Sequence, residues 1–153
     1  MTRVRPGETV DLPALRAIQT TVLAEQWDEL LAVAPDGPPI LLVAETERTG
    51  AVDAADTPVG YALAVTDGDD EACYLAELAV APDSQGEGHG SALLDALTER
   101  CREIGVDDLR VTVREVDDRA REFYEERGFE RRERLPDHYE SGDGLLLVRE
   151  LPE

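Results

Sequence analysis

Residues 78–90 read Leu78-Ala79-Val80-Ala81-Pro82-Asp83-Ser84-Gln85-Gly86-Glu87-Gly88-His89-Gly90. An apolar run ends at a proline, the chain turns through glycines, and a helical pattern begins at once. The run starts at Ala72 and is almost continuously apolar to Ala81, as a central strand buried on both faces should be. Past the glycines, Leu93, Leu94, Leu97, Cys101 and Ile104 recur at helical spacing, and Gly105 offers a C-cap. Leu109, Val111 and Val113 then alternate with Arg110, Thr112 and Arg114, which is a strand of period two. Strand, glycine turn, helix and strand form a unit that closes by a parallel crossover. The start of that helix offers N–H groups and a positive dipole end, so an anionic group is welcome there. Glycines let the backbone approach a ligand closely. A pyrophosphate is the natural ligand.

Outward from this unit the pattern continues. Residues 3–6 fit a short strand. Asp11 offers an N-cap and Pro13 a first-turn proline for a helix carrying Leu12, Leu15, Ile18 and Val22, expected to reach about Trp27. Leu30, Leu31 and Val33 suit a shorter helix, broken by Pro35, Gly37, Pro38 and Pro39. Ile40–Glu45 and Val59–Thr66 read as strands of an antiparallel hairpin, joined by a polar loop over 46–57. A polar turn, Asp67–Glu71, leads into the central strand. After Val113, Asp117 and Asp118 can cap a helix in which Ala120, Phe123 and Tyr124 share a face, ended by Gly128. Phe129–Arg134 and Leu145–Leu151 are the last strands, with Pro136, Gly142 and Gly144 in the loop between them. The order predicts an α/β (α+β) fold: a mixed, mostly antiparallel sheet of about six or seven strands flanked by helices.

Composition narrows the partners. The chain has 153 residues, which suits a single domain over 1–153. It carries 35 acidic and 15 basic residues, a net charge of −20, and every basic residue is arginine. Without lysine, a P-loop NTPase and a lysine-nucleophile enzyme are excluded. Binding to a nucleic-acid backbone is disfavoured, because it needs a dense cationic face. The hydrophobic fraction of 42% is that of a folded domain, so the acid lies on the surface. An acid-rich, lysine-free folded chain points to a salt-rich cytoplasm, as in a halophile, where the Debye length shrinks to roughly 3 Å and repulsion is screened. Cys73 and Cys101 give neither a disulfide framework nor metal spacing and read as buried thiols. Residues 1–10 lack an apolar signal region and no run approaches the ~20 apolar residues of a membrane span, so a cytoplasmic protein without a membrane partner is expected.

The dinucleotide fingerprint asks for glycine in sixth place, but Gly86-Glu87-Gly88-His89-Gly90-Ser91 ends in serine and lies mid-chain. The spacing Gln85-x-x-Gly88-x-Gly90, preceded by Leu78-x-Val80-x-Pro82 and followed by Leu93-Leu94, resembles motif A of the GCN5-related N-acetyltransferases (the GNAT family). Asp117-x-x-Ala120-x-x-Phe123-Tyr124-x-x-x-Gly128-Phe129 resembles that family's motif B, with Asp in place of the usual Asn. The two motifs in order extend the resemblance over nearly the whole chain.

The resemblance implies a splayed central strand pair, separating between Val80 and Val111, with acetyl-CoA as co-substrate and no metal. Backbone groups of Leu78, Ala79 and Val80 would pair with the pantetheine arm. The segment Gln85, Gly86, Gly88, His89, Gly90 and Ser91 would hold the pyrophosphate, and Asp117 occupies a further coenzyme position. His89 replaces a commonly apolar residue and is expected as a partly exposed side chain at the helix start. Glu87 should point outward, since a carboxylate facing a phosphate opposes binding. Tyr124 would be the general acid to the coenzyme A sulfur, because a phenol keeps its proton to about pH 10. A backbone N–H of the 73–81 strand would stabilise the developing oxyanion. Glu77, the only charged residue between Ala72 and Ala81, is a candidate for taking the amine's proton through water or binding an ammonium. An arginine-paired structural carboxylate is the competing reading for Glu77, and an aromatic on the apolar helix face is the competing reading for Tyr124.

The tail from Pro136 to Val148 resembles the C-terminal region of the ribosomal-protein alanine N-acetyltransferases, where two tyrosines help wall the peptide N-terminus. Here the pair is His138-Tyr139, and the glutamate base of that subfamily corresponds to Thr112. The acceptor is therefore a protein N-terminal α-amine or a small-molecule amine, and a monomer or a homodimer both fit. The competing classes are a non-catalytic acyl-CoA-binding sensor of the same fold and a nucleotide-phosphate enzyme.

Overall fold

The structure, a computed structural model, describes residues 2–23, 28–37, 39–46, 57–66, 72–139 and 142–151. The elements in chain order are β1 (Thr2–Pro6), α1 (Leu12–Val22), α2 (Asp28–Val33), β2 (Ile40–Thr46), β3 (Thr57–Thr66), β4 (Ala72–Val80), α3 (His89–Ile104), β5 (Asp108–Arg114), α4 (Asp118–Glu125), β6 (Glu130–Tyr139) and β7 (Gly142–Glu150). The strands form one mixed sheet of seven in the order β1-β2-β3-β4-β5-β7-β6, flanked by the helices. The expected helix end at Trp27, Pro38, the loop over 47–56, the turn Asp67–Glu71, and Glu140 and Ser141 of the tail lie outside the described residues.

The chain divides into two compact units, Met1–Val65 with Ala76–Glu99, and Thr66–Leu75 with Arg100–Glu153. In the first, β1 runs antiparallel to β2 from Thr2↔Thr46 to Pro6↔Leu42, and β2 runs antiparallel to β3. Its core gathers Leu15, Ile18, Leu31, Leu41, Val43, Tyr61, Leu63 and Ala79. Each fully buried leucine of this set stabilises the fold by about 1.5–3 kcal/mol. Arg5 ties β1 to the start of α1. Its guanidinium donates to both oxygens of Asp11 at 2.8 Å and, through Nε, to Glu45 at 2.9 Å. This corrects the expected cap. Asp11 stands at the N-cap position of α1 but makes no side-chain cap, because its carboxylate is taken by Arg5 and by the Glu8 N–H. A second correction concerns length: α1 stops at Val22, and Leu23 is already extended.

In the second unit, β4 and β5 form a parallel ladder from Ala72↔Asp108 to Leu75↔Val111, and β5 runs antiparallel to β7. The alternation of β5 holds: Leu109, Val111 and Val113 are buried and their neighbours are half-buried. Cys73 and Cys101 are both buried and form no disulfide, and the neighbouring Cys73 pulls the Cys101 thiol below its ordinary pKa. The loop expected after Arg134 is instead strand. β6 continues through Pro136 to Tyr139, with a register shift between Leu135 and Tyr139 against β7. Asp137 absorbs that irregularity in a left-handed conformation, φ 52°.

Candidate functional site

The glycine turn belongs to the first unit. β4 ends at Val80, the Ala81 N–H donates to Val59 C=O at 2.7 Å, and Pro82–Ser84 makes one 3-10 turn. Gly86 and Gly88 then take φ 80° and 92°, a region that L side chains rarely adopt. Both are exposed, and a Cβ on either would meet nothing within 4 Å, so backbone conformation rather than crowding requires glycine there. The α3 ladder begins with the Ala92 N–H on the Gly88 carbonyl. Gly90 and Ser91 thus lie in the first turn of α3, at the positive end of the helix dipole. A helix start of this kind favours an anionic group. Gln85 braces the turn by donating from Nε2 to Val80 C=O at 3.0 Å.

His89 is the first residue of α3, as expected, but it is buried rather than partly exposed. Its Nε2 lies 3.7 Å from the Glu87 carboxylate, whose side chain is 61% exposed and so points outward as the sequence requires. Leu78, Ala79 and Val80 close β4, with Ala79 buried and its neighbours half-buried. Gly60 of β3 passes so near that a Cβ would stand 2.8 Å from the Ala79 carbonyl oxygen.

Glu77 is buried on β4. Its carboxylate accepts from Gln19 Nε2 at 3.0 and 3.2 Å and from the Tyr61 hydroxyl at 2.9 Å. Both of these donors are neutral. Sequence reading missed both. Gln19 lies four residues after Leu15, on the buried stripe of α1, and that position was the available signal.

The second unit holds the other candidates. Asp117 accepts from the Ala120 N–H at 3.0 Å and so caps α4, as expected of it. Tyr124 is buried in that helix, edge-on to Phe123 at 5.1 Å and to Phe129 at 5.3 Å between ring centroids. Its carbonyl receives the Arg127 and Phe129 N–H groups, which ends the helix just before Gly128 at φ 93°.

At the turn end of β6 and β7, His138 is exposed and Tyr139 pairs by backbone with Gly142. A Cβ on Gly144 would meet His138 Cβ and Cδ2 and Thr112 Cγ2, each at 3.2 Å. Gly144 also stands opposite Arg114 in the β5–β7 register. Arg134 clamps this end by pairing with Glu115 at 2.6 Å and with Asp143, while Asp143 accepts from the Asp137 N–H at 2.8 Å. Thr112 and Arg114 were not expected as members of such a cluster beyond the subfamily departure at Thr112.

The first unit therefore brings together Glu77, Leu78, Ala79, Val80 and the turn from Gln85 to Ser91. The second separately carries Asp117 and Tyr124 on one element and His138 and Tyr139 on another. Among the described residues no group of three or more His, Cys, Asp or Glu could hold a metal ion, and no helix is long and apolar enough to cross a membrane.

Comparison with solved structures gives three informative likenesses. The ribosomal-protein-S18-alanine N-acetyltransferase from Escherichia coli is 24% identical, with 100% of this chain and 96% of that one covered and a TM-score of 0.82. Ard1 from Thermoplasma volcanium is 25% identical over 99% of both chains, with a TM-score of 0.82. Arabidopsis thaliana NAA60, in complex with acetyl-CoA, is 18% identical over 99% of both chains, with a TM-score of 0.87. No curated protein matches the chain in sequence. The family model that does match spans residues 12–129, from the start of α1 through the glycine turn to the Phe129 that packs on Tyr124. On that span and that fold, the chain belongs to the acetyltransferase (GNAT) family.

Proposed function

We propose that the chain transfers the acetyl group of acetyl-CoA to a primary amine, and that residues 1–153 work as one acetyltransferase domain. The observation that carries this reading is the β4–glycine–α3 segment. Two exposed glycines at φ 80° and 92° lead a central strand into the start of a helix of 16 residues. In this reading the amides from Gly86 to Ser91 hold the pyrophosphate, and Gln85 keeps the turn in shape. Leu78, Ala79 and Val80 offer backbone groups to the pantetheine amides. Asp117 orders the start of α4 and so the helix that carries Tyr124. NAA60 is a relative solved with acetyl-CoA, which supports this choice of co-substrate.

When bound, acetyl-CoA supplies an acetyl group activated as a thioester. The residues supply positioning and proton handling. A backbone N–H of β4 stabilises charge developing on the carbonyl oxygen. Tyr124 gives a proton to the departing sulfur, and its ring is fixed for that task by Phe123 and Phe129. Glu77, oriented by Gln19 and Tyr61, is the carboxylate that receives the amine's proton through water or holds the incoming ammonium. His138 and Tyr139 wall the acceptor. The acceptor is an α-amine of a peptide or a small-molecule amine, and the S18-alanine enzyme among the relatives favours the former.

The test is release of free thiol from acetyl-CoA in molar KCl, with a panel of amines and short peptides. Thiol release that depends on an amine is expected. Tight acetyl-CoA binding without turnover of any acceptor would leave only an acyl-CoA-binding module, and binding of ATP or NAD in place of coenzyme A would point to nucleotide chemistry.

A further inference from the structure

We infer that Arg114 is a binding residue for a carboxylate carried by the acceptor; the inference rests on the acetyl-transfer reading. On β5 the residues Arg110, Thr112 and Arg114 share the face opposite Leu109, Val111 and Val113. Arg110 is answered there by Asp108 at 2.7 Å and by the Tyr74 hydroxyl at 3.2 Å. Among the described residues Arg114 has no such answer. Its Nε is buried and has no hydrogen-bond partner, and among the described residues Arg114 enters no ion pair.

Acids outnumber arginines 35 to 15 in this chain, so a partner is chemically easy to supply. Two acids flank the position and both are committed elsewhere. Glu115, the next residue, pairs with Arg134 at 2.6 Å. Asp143, which precedes Arg114's register partner Gly144, accepts from Arg134 and from the Asp137 N–H. The clamp on Arg134 therefore withholds from Arg114 the acids closest to it along the chain and the hairpin. Burying a guanidinium N–H without an acceptor destabilises the fold. A fold retains such a group where a ligand completes it. Gly144 lets His138 and Thr112 approach opposite Arg114, since a Cβ there would meet both at 3.2 Å. A planar carboxylate is the partner that a guanidinium engages in two parallel bonds.

Acceptors are compared in matched pairs: a free α-amino acid against its amide, and a peptide amide starting with Glu against one starting with Gln. The first pair tests an α-carboxylate and the second a side-chain carboxylate. Initial rates of thiol release are measured for the protein and for Arg114→Gln, Arg114→Lys and the exposed control Arg119→Gln. In at least one pair the acid form is expected to be preferred by wild type. Arg114→Gln lowers its kcat/KM by about 10–100-fold, mainly through KM, and leaves the neutral member within about 3-fold. Arg114→Lys recovers part of the loss, and Arg119→Gln changes neither member. Titration calorimetry of the same pairs reads the site without turnover. Preferential binding of the acid form, lost in Arg114→Gln, supports the site even if no acceptor is acetylated, a result that would count against the transferase reading alone. A thermal melt guards against misfolding: Arg114→Gln should match or exceed the wild-type midpoint, since it removes an unsatisfied charge. Equal handling of acid and neutral members by wild type, or an equal effect of Arg114→Gln on both, overturns the inference.

Discussion

Removing one oxygen, in Tyr61→Phe, isolates what holds the buried carboxylate on β4. Tyr61 is fully buried and Glu77 is 3% exposed, so bulk solvent does not reach the place of the lost hydroxyl. The phenylalanine ring keeps the packing with Leu15, Val43 and Leu63 and opens no cavity larger than the missing hydroxyl. The change removes the 2.9 Å bond from the hydroxyl to Glu77 Oε1 and keeps the 3.0 Å bond from the Gln19 amide to the same oxygen. A hydrogen bond to a carboxylate contributes about 1.5–3 kcal/mol, so a destabilisation of about 2 kcal/mol is expected. It is read from urea unfolding in molar KCl at neutral pH, as a lower midpoint at unchanged slope. The cycle with Glu77→Gln should show a coupling of about 1 kcal/mol or more, because the two groups touch. A loss below about 0.5 kcal/mol, or additive single effects, would refute the claim that these donors hold Glu77 in place.

Three further outcomes follow from the geometry. Tyr124→Phe keeps the edge-on aromatic contacts and removes the hydroxyl, so turnover should fall by about 100-fold or more while acetyl-CoA affinity changes little; unchanged turnover across pH removes Tyr124 from the chemistry. Gly88→Ala puts a Cβ at φ 92° with nothing within 4 Å of it. Coenzyme A affinity measured by calorimetry should therefore drop through backbone strain alone, by about 5-fold or more for a strain of about 1 kcal/mol or above. The Arg5 guanidinium holds the Asp11 carboxyl below the usual carboxylate range, so its contribution is fully present above an unfolded value near about 3.9 and is lost as pH falls through the lower folded value. Asp11→Asn should therefore be less stable than wild type at pH 7, and the gap in denaturation midpoint should close below about pH 4; a gap that widens in acid contradicts that sign.

Much of the fold was legible because the sequence punctuates it. The Pro82 stop, the positive-φ glycines and the stripe from Leu93 to Ile104 place β4 and α3 within a residue or two of where they lie. β5 declares itself by strict alternation. β6 does not: residues 130–134 are all charged and Pro136 interrupts the run, so its extension to Tyr139 rests on backbone pairing with β7, which no side-chain pattern announces. The end of α1 was overshot because Leu23 continues the apolar pattern after the backbone has left the helix. Asp11 was placed correctly but given the wrong partner, since a guanidinium six residues away competes better than a helix amide. In the site, Glu77 stood out as a lone charge in an apolar strand. Its donors lie 58 and 16 residues away in sequence, and only the fold brings them to it. The burial of His89 was missed for a related reason: a helix-start position does not tell which way the ring turns.

The central claim is acetyl transfer from acetyl-CoA to an amine, and mass spectrometry of the acceptor tests it most directly. Purified protein, acetyl-CoA and the acceptor panel are incubated in molar KCl, and every acceptor is weighed alongside the thiol released. The account predicts at least one acceptor gaining a single acetyl group on its amine, in step with thiol release, and losing that gain in Tyr124→Phe. Thiol release without an acetylated acceptor, or coenzyme A binding with neither product, would contradict it.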